Sequence, residues 1–145
     1  MEVFCEILKD MIDEKEISLR KLSIESGVSA TQYSKYLKGA YPTISVAVKI
    51  ANYFNCSLSY LFGLIDNDDV KFTNSYDISK FLQRYENILK ENNITHWKFC
   101  RETGFSESSI RHWKYGQVPK VETLILISQY FGVSIDYLVG RSENK

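Results

Sequence analysis

Residues 17–42 read ISLRKLSIESGVSATQYSKYLKGAYP, and residues 94–119 return to the same pattern as ITHWKFCRETGFSESSIRHWKYGQVP. The two segments align without a gap at a constant offset of 77. Extended in both directions, this offset relates residues 4–64 to residues 81–141, and 16 of these 61 positions are identical. The chain therefore carries two copies of one structural unit.

The identical positions include residues that shape the backbone rather than fill volume, namely glycine, proline and helix-capping serine. The repeated pairs are Gly27/Gly104, Ser29/Ser106, Gly39/Gly116, Pro42/Pro119 and Ser57/Ser134. Between the copies lies a short polar and acidic stretch, IDNDDVKFTNSYD. We therefore expect a first domain at residues 1–65, a linker at residues 66–77 and a second domain at residues 78–145.

Each copy is predicted to form five short helices. Apolar residues recur at the three-and-four spacing of a helix face, and a serine or threonine precedes several of these stretches as an N-cap would. The expected caps are Ser18, Ser29, Ser57, Thr95, Ser106 and Ser134. No alternating run bounded by hairpin signals predicts a strand. The predicted fold class is all-α.

The composition of the 145 residues is that of an ordinary globular protein, with 44% hydrophobic and 25% charged residues. No apolar run approaches the roughly 18 residues of a membrane span, and the acidic start is unlike a secretory signal. We expect a cytoplasmic protein that has no membrane partner.

The three cysteines, Cys5, Cys56 and Cys100, form no CxxC pair and are expected to be reduced and mostly buried. His96 and Cys100 have a helical spacing that can hold a metal, but a site needs two further ligands. We expect no metal and no cofactor.

The formal net charge of 0 conceals two basic segments. Residues 17–43 contain four basic residues and one acidic residue, and residues 94–120 contain five basic and two acidic residues, so each segment carries +3. The rest of the chain then carries −6. Such local positive charge attracts a polyanion even when the whole chain is neutral.

A short helix, a glycine turn and a second capped helix can hold that second helix clear of the body, so that its first residues enter the DNA major groove. Val28, Tyr33 and Tyr36 are expected to pack inward in the first copy. In the second copy Phe105, Ile110 and Trp113 take this role, whereas Trp97 is expected to be exposed. The outward positions are Ala30, Thr31, Gln32, Ser34 and Lys35 in the first copy and Glu107, Ser108, Ser109, Arg111 and His112 in the second.

The two segments, continued to YLFG at residues 60–63 and YLVG at residues 137–140, resemble the helix-turn-helix family of phage repressors and Cro proteins, the xenobiotic-response-element (XRE) family. The resemblance covers almost the whole chain. It implies two compact five-helix, lambda-repressor-like domains and a bacterial or phage transcriptional regulator, usually a repressor, that binds double-stranded DNA. It further implies that Ala30, Thr31 and Lys35 read bases in one copy and Glu107, Ser108 and His112 in the other.

The resemblance also implies phosphate contacts around each helix-turn-helix. Where the family often has a phosphate-binding glutamine at the start of its second helix, this chain has Leu19 and His96. Neighbouring polar residues can take that role. The candidates are Ser18, Arg20, Lys21 and Lys38 in the first copy and Thr95, His96, Lys98, Lys114 and Lys120 in the second.

Because the outward residues of the two copies differ, we expect an asymmetric bipartite DNA site, reached across a connector that could extend to roughly 40 Å. The alternative is a protein-interaction module, in which one or both copies no longer read DNA. The final helices can also form a homodimer. The sequence shows neither a catalytic constellation nor a small-molecule site, so an enzyme is not expected.

Overall fold

The structure, a computed structural model, describes residues 2–145, and these residues form ten α-helices, one 3-10 helix and no β-strand. In the first copy the helices are α1 (Glu2–Lys15), α2 (Leu19–Ser26), α3 (Ala30–Leu37), α4 (Ile44–Phe54) and α5 (Leu58–Leu61). In the second copy the 3-10 helix (Ile78–Lys80) precedes α6 (Phe81–Glu91), α7 (His96–Thr103), α8 (Ser109–Lys114), α9 (Val121–Phe131) and α10 (Ile135–Leu138). The expected all-α class with five helices per copy is confirmed.

Most of the expected caps are also present. The hydroxyls of Ser18, Ser57, Thr95 and Ser134 each accept a hydrogen bond from the backbone N–H three residues later. Each bond satisfies one of the N–H groups that have no partner within the first turn of a helix. These caps explain why such short helices begin where they do.

The core of the second copy is built from aromatic rings. Trp113 is 8% exposed, and its ring centroid lies 5.0 Å from that of Phe81 and 5.5 Å from that of Tyr85, both in edge-on geometry. In the first copy Tyr36 holds the place of Trp113 and is equally buried. The expectation that Trp113 packs in the core is confirmed.

The two copies contact each other through α5 and α10. The Asp136 carboxylate at the start of α10 accepts from the N–H of Leu58 at 2.9 Å and from the N–H of Ser59 at 3.2 Å. In return, the Ser59 hydroxyl accepts from the N–H of Ile135 at 3.1 Å. Each copy therefore caps the last helix of the other.

The connector is not a free tether, in contrast to the extended chain considered from the sequence. The N–H groups of Thr73 and Asp77 donate to the carbonyls of Arg141 and Val139, each at 2.9 Å. The Asn52 amide donates to the Asn74 carbonyl at 2.7 Å. The connector packs along both copies because its backbone finds hydrogen-bond partners there.

All three cysteines are free thiols; Cys56 and Cys100 are buried, and Cys5 is partly buried. Burial raises the pKa of Cys56 to about 12.

Within residues 2–145, no three His, Cys, Asp or Glu side chains come together as metal ligands would. No helix in that range combines the length and apolar character required to span a bilayer.

Candidate nucleic-acid interface

The turn between α2 and α3 is set by one glycine and one serine. Gly27 follows α2 at φ 78°, a left-handed conformation that a Cβ disfavours, and its N–H donates to the Ser23 carbonyl at 3.0 Å. The Ser29 hydroxyl then accepts from the Gln32 N–H, and Gln32 Oε1 accepts from the Ser29 N–H, both at 3.1 Å. This reciprocal capping box fixes the first turn of α3.

The inner face of α3 is anchored as predicted. Val28, Tyr33 and Tyr36 are all buried. The Tyr33 hydroxyl lies 2.7 Å from the Ser26 hydroxyl, so the ring is also tied to the end of α2. Burial raises the pKa of Tyr33 above its ordinary value. These contacts hold α3 firmly against α2.

The outer face of α3 carries the predicted base-reading residues. Thr31 and Lys35 are exposed, and because they are four residues apart they lie on the same side of the helix. Ala30 and Ser34 are half-buried beside them. Gln32 uses its side-chain oxygen in the capping box, which leaves its amide N–H groups to donate elsewhere.

In the second copy, the helix that corresponds to α3 starts two residues late. By the offset of 77, α8 would begin at Glu107, but it begins at Ser109. The Ser106 hydroxyl, expected to cap the helix, instead lies 2.9 Å from the Ser108 hydroxyl. Ser109 replaces the glutamine of the capping box and turns its own hydroxyl back onto the Ser106 carbonyl at 2.7 Å. The cap prediction at Ser106 is therefore wrong.

This difference divides the candidate residues of the second copy. Glu107 and Ser108 are exposed but lie in the turn before α8, not on the helix. Ser109 is half-buried, whereas Arg111 and His112 are exposed on α8. The exposed polar surface of this copy thus comes from a turn and a short helix together.

The inward side of α8 agrees in large part with expectation. Trp113 is buried, and the Phe105 ring stacks on it with centroids 5.9 Å apart and an interplanar angle of 20°. Phe105 and Ile110 are only partly buried, although both pack against the core. Stacking on Trp113 holds the turn against the short helix.

His96, a predicted phosphate contact, is used within its own domain. Its Nε2 lies 3.1 Å from the Glu107 carbonyl oxygen, and its Nδ1 lies 2.6 Å from the Tyr85 hydroxyl. A carbonyl can only accept, so Nε2 donates, and in the neutral imidazole Nδ1 then accepts from the phenol. Both ring nitrogens thus have partners, and His96 links α6 to the turn that precedes α8.

A Lys–Glu–Tyr arrangement borders the helix-turn-helix of the first copy. Lys21 Nζ lies 3.9 Å from a Glu25 carboxylate oxygen, one turn away on α2. The Tyr53 hydroxyl donates to the other Glu25 oxygen at 2.6 Å. This hydrogen bond to a carboxylate raises the pKa of Tyr53 to about 12. Lys21 therefore already has a partial counter-charge.

The second copy repeats this arrangement at the offset of 77. Lys98 Nζ lies 4.0 Å from Glu102, and the Tyr130 hydroxyl donates to Glu102 at 2.9 Å. The same hydrogen bond raises the pKa of Tyr130. Both lysines are exposed, and exposed ion pairs of this kind contribute little to the stability of the fold.

The remaining candidate cations are exposed and, within residues 2–145, none of them takes part in an ion pair. They are Arg20, Lys35, Lys38, Arg111, Lys114 and Lys120. Ser18 and Thr95, the two hydroxyl candidates, are exposed as well but accept their cap bonds from Lys21 and Lys98. Cations without a competing counter-charge are those best able to bind phosphate.

Two exposed aromatic side chains border the same region. Trp97 is 52% exposed on α7, as predicted, and the Arg101 guanidinium lies 5.1 Å from its ring centroid. Tyr115 is 86% exposed directly after α8. Tyr115 was not among the predicted contacts, although the offset of 77 aligns it with Lys38 and so marks an outward position.

Comparison with known proteins gives the family. The model of the helix-turn-helix family matches the chain twice, at residues 8–61 and 86–138, and so covers well over half of it. No curated protein and no solved structure matched the chain. Domains of this type bind DNA and are not enzymes. The chain therefore belongs to the XRE-type helix-turn-helix family of DNA-binding regulators and carries two tandem copies of its domain.

Proposed function

We propose that this protein is a transcriptional repressor that acts in the cytoplasm and places α3 and α8, one from each copy, in the major groove of double-stranded DNA. One observation carries the proposal. Each copy fixes a short helix on its inner side by buried aromatic residues, and leaves polar side chains exposed on its outer side.

The exposed side chains suit base recognition. Lys35 and Arg111 can donate to guanine, and Glu107 can accept from the amino group of cytosine. Thr31, Ser108 and His112 add short groups that can donate or accept. Since Glu107 lies in the turn before α8, the second copy would read bases with a turn as well as with a helix.

Phosphate contacts would come from the cations that have no counter-charge within the described residues. Arg20 and Lys38 provide them in the first copy, and Lys114 and Lys120 in the second. Lys21 and Lys98 contribute less because each shares its charge with a glutamate. Each phosphate neutralised releases counterions, so binding should weaken as the salt concentration rises.

The target would be a two-part, non-palindromic site. Outer residues differ between the copies, so the two half-sites differ in sequence. The final helices, which could form a homodimer, already cover each other within the chain. A single chain would therefore present two recognition helices, α3 and α8, to the DNA.

The test is selection of genomic DNA fragments by the purified full-length protein at near-physiological salt, followed by sequencing. Enrichment of a two-part asymmetric motif supports the proposal. A palindrome would show that one copy per chain reads DNA within a homodimer. If nothing is enriched even at lowered salt, the proposal fails and a protein-interaction module takes its place.

A further inference from the structure

The contact between the copies has the reciprocity of a two-fold interface. Ser59 and Asp136 occupy equivalent positions at the offset of 77, and each caps the last helix of the other copy. In an interface of this kind, the same patch of both partners meets itself. The tandem chain is therefore arranged as a dimer made within one polypeptide.

The two halves of this interface differ in charge. Asp136 is fully buried and binds Arg141 Nη1 at 2.8 Å, whereas the equivalent residues of the first copy, Ser59 and Leu64, are neutral. Arg141 Nη2 crosses to the first copy and donates to the Asn52 side-chain oxygen at 2.8 Å. The ion pair thus reaches two elements of the first copy, the start of α5 and the end of α4.

The connector adds a second layer over the same ion pair. The Phe72 ring lies over the Arg141 guanidinium, 4.2 Å from its centroid, and the Thr73 N–H donates to the Arg141 carbonyl. By contrast, residues 66–69 at the start of the connector are all exposed. One end of the connector is therefore packed against the interface, whereas the exposed start is tied to the first copy by the Asp68 carboxylate, which accepts from the Ser57 N–H at 2.7 Å.

We propose that the α5–α10 contact, locked by Asp136 and Arg141, and not the length of the connector, fixes the relative position of the two DNA-reading helices. The Asp136 carboxylate on α10 accepts buried hydrogen bonds of 2.8–3.2 Å from two N–H groups of α5 and from the Arg141 guanidinium, which leaves little freedom of rotation between the copies. An unpacked connector without this contact would permit a range of separations.

The consequence for recognition, which rests on the proposed function, is a fixed spacing between the half-sites. A shift of two base pairs moves one half-site by about 7 Å and rotates it by roughly 70° around the duplex. If α3 and α8 are held in a fixed relative position, they cannot both contact half-sites that have been shifted in this way. Asp136 and Arg141 are then specificity-determining residues that touch no DNA.

The first test needs no DNA. Nitroxide labels on Ile24→Cys and Arg101→Cys, equivalent exposed positions on α2 and α7, report the distance between the copies by pulsed electron paramagnetic resonance, with Cys5→Ser removing the accessible native thiol. We expect one narrow distance peak. Insertion of Gly-Ser-Gly-Ser after Asp69 should leave this peak unchanged.

The matched variant combines Asp136→Ser with Arg141→Leu. It gives the second copy the residues that the first copy has at the equivalent positions, so no buried charge is left without a partner. We expect it to fold, as monitored by circular dichroism, and to lose the single narrow peak. A narrow peak in this variant, or a broad one after the insertion, overturns the proposal.

The second test uses duplexes in which the selected half-sites are moved apart by two base pairs. The affinity of the wild type and of the insertion variant should fall about tenfold or more, and that of the double variant by less than about threefold. Equal sensitivity of all three proteins would show that the interface does not set the spacing. If no two-part motif exists, the proposed function fails, while the distance measurement still decides this inference.

Discussion

Asp136 and Arg141 form an ion pair in which neither side chain is exposed to solvent, with Oδ1 and Nη1 2.8 Å apart. Their backbones are joined as well, because the Arg141 N–H donates to the Asp136 carbonyl at 2.8 Å. The carboxylate also accepts from the N–H groups of Leu58 and Ser59. Hydrogen bonds to α5 and to the Asn52 side chain offset part of the hydration that this buried pair loses, whereas Arg141 Nε has no hydrogen-bond partner within residues 2–145.

Asp136→Ala should therefore destabilise the folded chain strongly. It leaves the Arg141 guanidinium buried without its counter-charge and removes the acceptor of the Leu58 and Ser59 N–H groups at the start of α5. Breaking such a pair costs about 3–5 kcal/mol. Urea unfolding followed by circular dichroism measures the loss. Lys98→Ala, which breaks the exposed pair with Glu102, is the control and should cost no more than about 1 kcal/mol. Equal effects of the two substitutions would contradict a buried pair.

Lys35→Ala and Arg111→Ala should each weaken DNA binding by about 1–3 kcal/mol and relax base preference in one half-site only, because each removes one of the proposed base contacts from one copy. Affinity measured on duplexes with single base changes locates the affected half-site.

Two exposed lysines outside the helix-turn-helix units serve as controls for these substitutions. Lys9 lies on α1 and Lys90 on α6, and Lys9→Ala or Lys90→Ala removes the same charge from the chain. If the control variants lose as much affinity as Lys35→Ala, the protein binds DNA by non-specific electrostatic attraction, and α3 does not recognise bases.

Much of the fold could be predicted from the sequence, because the residues that begin and end each helix act through contacts with their near neighbours in the chain. Ser18 and Gly27 bound α2 through contacts within four residues, so the pattern of residue types contains the necessary information. The late start of α8 also has a local cause, the serine at position 109 in place of glutamine. The repeat predicted a cap at Ser106 because Ser106 aligns with Ser29. The second residue of the capping box is not repeated, since Ser109 stands where the first copy has Gln32.

The contact between the copies could not be predicted in this way. Asp136 binds Leu58 from 78 residues away, and Arg141 binds Asn52 from 89 residues away. The sequence gives one signal of this contact, the charged Asp136 within the otherwise apolar core side of α10. This signal does not indicate which residues Asp136 binds. Likewise, the internal role of His96 depends on Tyr85 and on a backbone carbonyl, which no spacing rule reveals.

Ser29→Ala should destabilise the first copy by about 1 kcal/mol, because it removes the hydroxyl that caps α3. Ser106→Ala is the matched substitution at the equivalent position. It should cost less than about 0.5 kcal/mol, since the Ser106 hydroxyl bonds to another exposed hydroxyl and does not cap a helix. Urea unfolding of both variants gives the comparison, and a larger loss for Ser106→Ala would place the start of α8 earlier than Ser109.

The Tyr53–Glu25 hydrogen bond predicts a loss of stability at alkaline pH. The pKa of Tyr53 is about 12 in the folded chain, against an ordinary value of 10.0. Between these values the unfolded chain has released this proton and the folded chain still holds it, so stability falls as pH rises through this range. Unfolding midpoints measured from pH 9 to pH 12 should decline, and the decline should be smaller in Tyr53→Phe, which has no proton to lose.

Glu25→Gln tests the cause of this shift. Without the carboxylate charge, the pKa of Tyr53 should move back toward 10, because the phenolate no longer faces a negative neighbour. Glu102→Gln should do the same for Tyr130 in the second copy. The ultraviolet absorbance of tyrosinate measures both changes during an alkaline titration of the folded protein. Glu86→Gln removes an exposed carboxylate from α6 and is the control. Titration curves of Glu25→Gln and Glu102→Gln that coincide with that of Glu86→Gln would mean that neither tyrosine donates to its glutamate in solution.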